Sequence, residues 1–301
     1  MAAIQTENIV GLRRILHMAL HMLDEVRSVK FQYAVQESMK ARSGRRPRTL
    51  SEIRSICSRL MREFPGLAER EVCSITRMEC AEMVNAWPST RQQHKIRVIL
   101  HGVFEYSRRQ EWCLENPAAF LQLPLLREKE IPPLDWAELQ RLTRTARKPE
   151  HRACMPPLGL MLWAGVRPAE VERLCWHDID WEEGVISLRS SHTKTGGCRH
   201  IRLHDVLRHW LRECINGSGR ICPPNWQRRW QRLRAEAALI PWRQDVLRHT
   251  FASYHAKHFH NFAALQEDMG HRSSALLRTR YLSMRGITAR LAARFWTPHV
   301  L

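Results

Sequence analysis

The 301-residue chain carries 48 Lys and Arg against 30 Asp and Glu, a net charge of +18 with a pI near 10.3, and its 44% hydrophobic content is ample for buried cores. Basic residues spread over the whole chain favour a nucleic-acid partner, because a broad cationic face neutralises phosphates and releases counterions; an anionic membrane surface is the weaker alternative. No apolar run approaches the roughly 20 residues that cross a bilayer, the polar start with Glu7 lacks a signal-peptide layout, and nine cysteines without a Cys-x-x-Cys pair exclude a disulfide framework or zinc ribbon. An intracellular protein with reduced, mostly buried thiols is expected.

In chain order, Leu12, Ile15, Leu16, Ala19, Leu23 and Val26 recur at helical spacing, which predicts an amphipathic helix from about Glu7 to Val26. Arg42-Ser43-Gly44-Arg45-Arg46-Pro47-Arg48 interrupts the pattern as an exposed linker. Its arginines either track a DNA groove or line a solvated loop. Thr49 with Glu52 reads as a capping box for a helix that buries Ile53, Ile56, Cys57, Leu60, Met61 and Phe64 and stops at Pro65-Gly66. Thr76 with Glu79 repeats the signal for a short helix through Met83 and Val84. Ser89 or Thr90 then caps a longer helix with Ile96, Ile99, Leu100, Val103 and Phe104 on one stripe. Arg91, Lys95 and Arg97 on its other faces are candidates for the DNA backbone, as are Arg45, Arg46 and Arg48; the alternative is a solvated helix surface. Residues 1–123 thus read as one all-helical unit, and the proline- and charge-rich residues 124–134 as a linker.

The second unit, 135–301, opens with Asp135 and Glu138 capping a helix that carries Leu139 and Leu142. Leu158 to Ala164 is apolar all round and predicts a buried helix, ended by Gly165. Pro168 suits a first helical position, which leaves Arg167 at a junction between helices, where a guanidinium can be presented. Val185–Leu188 and Arg199–Leu203 alternate with period two and predict a β-hairpin, with Lys194 near its tip in Thr193-Lys194-Thr195-Gly196-Gly197. Helical patterning resumes at Asp205. A loop around Asn216-Gly217-Ser218-Gly219 precedes a Trp- and Arg-rich helix from about Asn225 to Ala238, whose Trp226 and Trp230 are read as core in preference to base-stacking platforms. The predicted fold class is mainly α with a small antiparallel β-sheet (α+β). In the last quarter, Arg248 at a helix start, His271 after a glycine and Tyr281 ten residues on form a candidate phosphate-handling set with tyrosine as nucleophile. Tyr254 is the rival nucleophile, but it falls mid-helix and is expected to be packed. His255, His258 and His260 have metal-like character without a neighbouring Cys or acidic partner in sequence, so no metal is assigned.

These boxes together resemble the catalytic domain of the tyrosine recombinase (phage integrase) family. Gly165-Val166-Arg167-Pro168-Ala169-Glu170-Val171 with Leu174-Cys175-Trp176-His177-Asp178-Ile179-Asp180 is similar to its first box. Lys194-Thr195-Gly196 with Arg199-His200-Ile201-Arg202-Leu203 is similar to its hairpin, and Leu247-Arg248-His249-Thr250, Met269-Gly270-His271 and Tyr281 to the rest. The resemblance covers roughly residues 132–285 and implies that the upstream helical unit is a core-DNA-binding domain. It implies a site-specific DNA recombinase that cuts and rejoins strands through a covalent 3′-phosphotyrosine, in the cytoplasm at the nucleoid, as a homotetramer on paired double-stranded DNA bearing recombination sites. A type IB topoisomerase-like activity and a non-catalytic DNA-binding regulator on the same fold are the alternatives.

The residue types suit that chemistry. A phosphodiester gathers negative charge in the transition state, so fixed donors must face its non-bridging oxygens. Arg167 and Arg248 stay charged and bind phosphate bidentately, His271 adds a donor, and Glu170 can hold Arg167 by a carboxylate pair. Tyr281 attacks phosphorus and stores the bond energy for religation. The resemblance makes Lys194 the general acid for the leaving hydroxyl; no metal or other cofactor is required. Two departures stand out. Asp245 occupies the position, three before Arg248, where the family commonly has histidine, and is expected to orient Arg248 or a nearby base or to lower the rate. The step from His271 to Tyr281 is about one residue longer than usual. After Tyr281, Leu291, Phe295 and Trp296 share a helical face that either docks on a neighbouring protomer, as the resemblance implies, or packs on its own domain.

Overall fold

The computed structural model describes residue 16 and residues 27–126, 130–189, 197–214, 218–270 and 286–301. The turn with Lys194, and His271 and Tyr281, therefore lie outside the described residues, as does the expected helix Glu7–Val26 except for Leu16, which is helical and exposed rather than buried. The chain divides into two compact units, Met1–Arg127 and Glu128–Leu301.

The first unit is helical: α1 (Phe31–Lys40), α2 (Pro47–Glu63), α3 (Arg77–Asn85) and α4 (Thr90–Arg109), with short 3₁₀ turns at Leu67–Glu69 and Val72–Ser74. Phe31, Leu60, Val72, Met83, Ile96, Leu100 and Phe104 share its core. Helix α1 has no counterpart among the expected elements; its stripe of Phe31, Ala34, Val35 and Ser38 is buried, but one of the four is polar and the run is only ten residues. Helix α2 also starts earlier than the Thr49 capping signal indicates. Pro47 takes the first helical position and Arg46 precedes it, because proline lacks only an N–H that a helix start leaves unpaired anyway. The Arg42–Arg48 linker thereby shrinks to a turn. Thr76 and Glu79 do form a reciprocal capping box, and Ser89 Oγ accepts from Gln92 N at 3.2 Å.

The second unit holds α5 (Trp136–Ala146), α6 (Met155–Trp163), α7 (Pro168–Val171), β1 (Ile179–Asp180), β2 (Val185–Leu188), β3 (Arg199–Arg202), α8 (Asp205–Arg212), α9 (Trp226–Glu236), α10 (Val246–Phe259), α11 (Phe262–Met269) and α12 (Ala289–Phe295). The mainly helical class with a small antiparallel sheet matches expectation. The sheet runs β1-β2-β3, with Ile179 opposite Ile186 and Ile186 opposite Ile201; β1, two residues long, is too short to leave a period-two signature. Every residue of α6 is buried, and α10 buries all of Val246 to Ala256, so these two helices form the centre of the unit. Trp226 and Trp230 are stacked in the core, 5.3 Å apart, and Tyr254 packs on Phe295 with 4.3 Å between ring centres.

Helix α12 packs on its own unit. Trp163 Nε1 donates to Phe295 O at 3.1 Å and Trp296 Nε1 to Tyr254 O at 3.3 Å, with Phe295 and Trp296 buried. Those aromatics are thus already covered within the chain, and of the two expectations for this helix the intramolecular one is realised.

Gly165 ends α6 with φ +59°, and a Cβ there would collide with the Phe251 ring of α10. Gly165→Ala therefore combines a left-handed backbone penalty with overpacking and is expected to lower stability by about 2–5 kcal/mol, read from the urea unfolding midpoint.

Candidate active site

Proline 168 forces its predecessor into extended backbone, and Arg167 duly takes φ −69°, ψ 147° at the head of α7. One turn on, Glu170 folds back to it. Glu170 Oε2 accepts from the Arg167 backbone N–H at 3.1 Å and Oε1 from Arg167 Nη1 at 2.9 Å. A second guanidinium completes the arrangement: Arg199, the first residue of β3, donates through Nη2 to Oε2 at 2.6 Å and through Nη1 to Oε1 at 3.2 Å. The Glu170 side chain is only 2% exposed, yet each oxygen accepts two hydrogen bonds. Burial alone pushes the Glu170 carboxyl upward, but Arg199 and then Arg167 outweigh it, so the group titrates below the usual glutamate range.

Arg199 is a site residue that sequence reasoning passed over. Its third nitrogen, Nε, donates to Asp268 O at 3.0 Å, and a Cβ on Gly270 would lie 2.9 Å from its Cδ. Arg248, the third residue of α10 and 1% exposed, donates through Nη1 to Gly165 O and through Nη2 to Met269 O. Asp268 and Met269 end α11, where helix carbonyls have no intrahelical donor; two guanidinium groups supply donors and also suit the negative end of the helix dipole. Gly270, left-handed at φ +60°, turns the chain out of α11 immediately before His271. The structure thus brings Arg167, Glu170 and Arg248 around one junction, with Arg199 and the end of α11.

Asp245 sits at the start of α10 in a left-handed conformation (φ 60°), its side chain making no capping hydrogen bond. With Val166, Pro168, Trp242 and Arg248 it lines a hollow of about 20 Å³, so it borders the junction at Arg248. In the first unit the six candidate DNA-backbone residues are not equivalent. Arg45, Arg46, Arg48 and Arg91 are exposed. Lys95 pairs with Glu52, both about half exposed, and such a surface pair yields readily to a phosphate. Arg97 is half-buried and donates to Ala119 O at 2.6 Å, which makes it a packing residue of its own unit. Arg42, expected in an exposed linker, is instead half-buried and donates to Gly102 O.

Replacing Glu170 by Gln leaves two guanidinium groups facing a neutral amide, so stability should fall by about 3–5 kcal/mol near neutral pH. Because the folded-state value is depressed, the carboxylate's contribution is full above the ordinary glutamate value of about 4.3 and is lost as pH falls through the lower folded value. Urea titrations of wild type and Glu170→Gln should therefore converge as pH drops below about 4.

Residues 133–285, about half of the chain, match the model of the phage integrase family. Tyrosine recombinase XerA of Saccharolobus solfataricus is 27% identical over 187 residues, which span 60% of this chain and 62% of that protein. Among solved structures, a lambda integrase dimer bound to a COC′ core site is 20% identical with a TM-score of 0.71, covering 90% of this chain and 82% of that one. The Tn1549 transposon integrase in complex with a circular intermediate DNA is 18% identical with a TM-score of 0.69, covering 88% and 99%. The resemblance carried by the sequence boxes is thereby borne out, and the chain belongs to the phage integrase family.

Proposed function

We propose that the protein is a site-specific DNA recombinase that breaks and rejoins strands through a 3′-phosphotyrosine. The observation that supports this reading most directly is the pair of buried or half-buried arginines, Arg167 and Arg248, held at one junction by Glu170, Gly165 and Met269, in a chain of the phage integrase family with net charge +18. In this scheme the Tyr281 oxygen attacks phosphorus, the bond from phosphorus to the 5′ oxygen breaks, and Lys194 gives that oxygen its proton. Arg167, Arg248 and His271 face the non-bridging oxygens, where charge develops. Glu170 and Asp245 support them. Rejoining is the reverse attack by a 5′ hydroxyl, which needs no external energy because the phosphotyrosine conserves the bond.

The substrate is double-stranded DNA with defined recombination sites, gripped by residues 1–123 through Arg45, Arg46, Arg48, Arg91 and Lys95, with Arg97 positioning the helix that carries the last two. A homotetramer on paired DNA is the working assembly; a lambda integrase tetramer bound to a Holliday junction has the same fold, with a TM-score of 0.71. The cytoplasm at the nucleoid is the compartment this implies, and no helix among the described residues is long and apolar enough to cross a membrane.

A nicked suicide duplex carrying the protein's recombination site, selected by binding from a randomised duplex pool, tests the proposal. Wild type should trap a covalent adduct that Tyr281→Phe abolishes, while Arg167→Ala should slow its formation by about 10²–10³-fold, the usual cost of one oxyanion donor. Binding without any adduct would instead identify a regulator, and relaxation of arbitrary supercoiled plasmid a topoisomerase. Removing Arg45 and Arg48 together should reduce the slope of log affinity against log salt by about 1 for each phosphate that is no longer neutralised. Asp245→His should raise the cleavage rate if a donor is what that position lacks; an unchanged rate would show that it plays no part.

A further inference from the structure

Three histidines of α10 and its end, His255, His258 and His260, have no acidic neighbour in sequence, yet folding supplies His255 with one. Asp268 of α11 and His204, which links β3 to α8, converge on it, and one donor atom from each of the three lies within 4.8 Å of the others. All three residues are buried. His255 Nε2 and Asp268 Oδ2 stand 4.0 Å apart, beyond hydrogen-bond reach. His204 Nε2 is buried without a hydrogen-bond partner, as is His255 Nδ1, the ring nitrogen other than the one nearest Asp268, an unusual condition for polar atoms in a core.

We propose that His204, His255 and Asp268 form a site for a divalent transition ion of the zinc class. Two imidazoles and a carboxylate are a recurrent zinc donor set, with water in the fourth position. Zinc bonds of about 2.0–2.1 Å separate tetrahedral donors by about 3.4 Å, so the cluster needs to contract by roughly 1 Å. The rings of Phe251, Phe259 and Trp296 wall the histidines. Asp268 also lines a cleft of about 480 Å³ with Glu183, Asp205, Arg202 and Arg208, which gives the ion a polar approach.

Two other clusters have the same residue types but differ in one respect. In Glu150, His151 and Glu236, Lys148 already pairs with Glu236; in Cys175, His177 and Asp178, Arg189 lies 3.4 Å from Asp178. Each has a resident cation within 4 Å of its carboxylate, whereas among the described residues no Lys or Arg stands that close to the Asp268 carboxylate, although the charges of Arg199 and Arg202 reach it. The ion would tie α10, α11 and the start of α8 together. His255 lies two turns beyond Arg248 on α10, and Asp268 is the residue whose carbonyl receives Arg199, so the site braces the end of α11.

Titration of the apo, full-length protein with Co²⁺, read by visible absorption, tests the site. One equivalent should give the intense d–d bands of a four-coordinate ion, displaced by Zn²⁺ with a rise in Tm. His204→Gln, His255→Gln and Asp268→Asn should each weaken binding by at least about 100-fold, whereas His151→Gln and His177→Gln should leave it unchanged. Zinc-edge X-ray absorption of the wild type keeps the test open where a buried variant fails to fold: two imidazoles and oxygen without sulfur support the site. Absence of Co²⁺ and Zn²⁺ binding, a zinc–sulfur shell from any of the nine cysteines, or binding that survives Asp268→Asn and His255→Gln overturns it.

Discussion

The second unit depends on one buried carboxylate that must satisfy two guanidinium groups at once. Glu170 is out of water, and a lone ionised carboxylate there would be strongly disfavoured. Four hydrogen bonds from Arg167 and Arg199 reverse that preference. The consequence reaches beyond charge balance. Arg167 belongs to the α6–α7 junction and Arg199 to β3, so a single side chain fixes the sheet edge against the helix start, and any shift of either guanidinium exposes an unpaired lone pair in a low-dielectric place.

A second constraint is coupled to the first through the end of α11. Arg199 reaches from Glu170 to the Asp268 carbonyl, and Arg248 reaches from the Gly165 carbonyl to that of Met269. A helix C-terminus normally leaves its carbonyls to solvent or a glycine cap; here two cations meet them inside the protein, and Gly270 provides the turn that follows. Movement of α11 would have to break hydrogen bonds at both arginines. That gives a physical reason for the spacing of Gly165, Arg167, Arg248 and Met269-Gly270: each is a fixed point of one hydrogen-bonded frame, and residue 271 begins where the frame ends.

What the sequence conveys follows from how local each signal is. Capping boxes at Thr76 and Asp135 are four-residue patterns, and both form. The all-apolar α6, the Gly165 stop and Pro168 at the first helical position are also local, and they suffice to place Arg167 at a junction. The Arg167–Glu170 pair is legible because it is one helical turn long. Arg199 is not, since its partners lie 29 residues before and 69 after it; its position in a β-strand beside other basic residues gives it no distinguishing mark. Helix α1 escapes notice because ten residues with a serine on the buried face carry a weak stripe. The His204, His255 and Asp268 cluster is equally silent, as its members come from three elements that only tertiary packing unites.

The departure at Asp245 acquires a physical rationale from its backbone. The residue precedes α10 at φ 60°, a conformation that aspartate tolerates better than most side chains, and its carbonyl accepts the first intrahelical bond, from His249 N at 3.0 Å. The Asp245 side chain makes no capping hydrogen bond, so its charge acts on the positive end of the helix dipole through space. A carboxylate there is favourable by about 0.3–1 kcal/mol, without a capping hydrogen bond. A histidine in the same place adds a donor to the site but gives up that charge complementarity, and when protonated opposes the dipole. The aspartate therefore favours the anchoring of α10, and with it the placement of Arg248 three residues on, over a further donor at the junction. The junction's positive charge then rests more heavily on the two arginines that Glu170 and the carbonyls of Gly165 and Met269 hold in position.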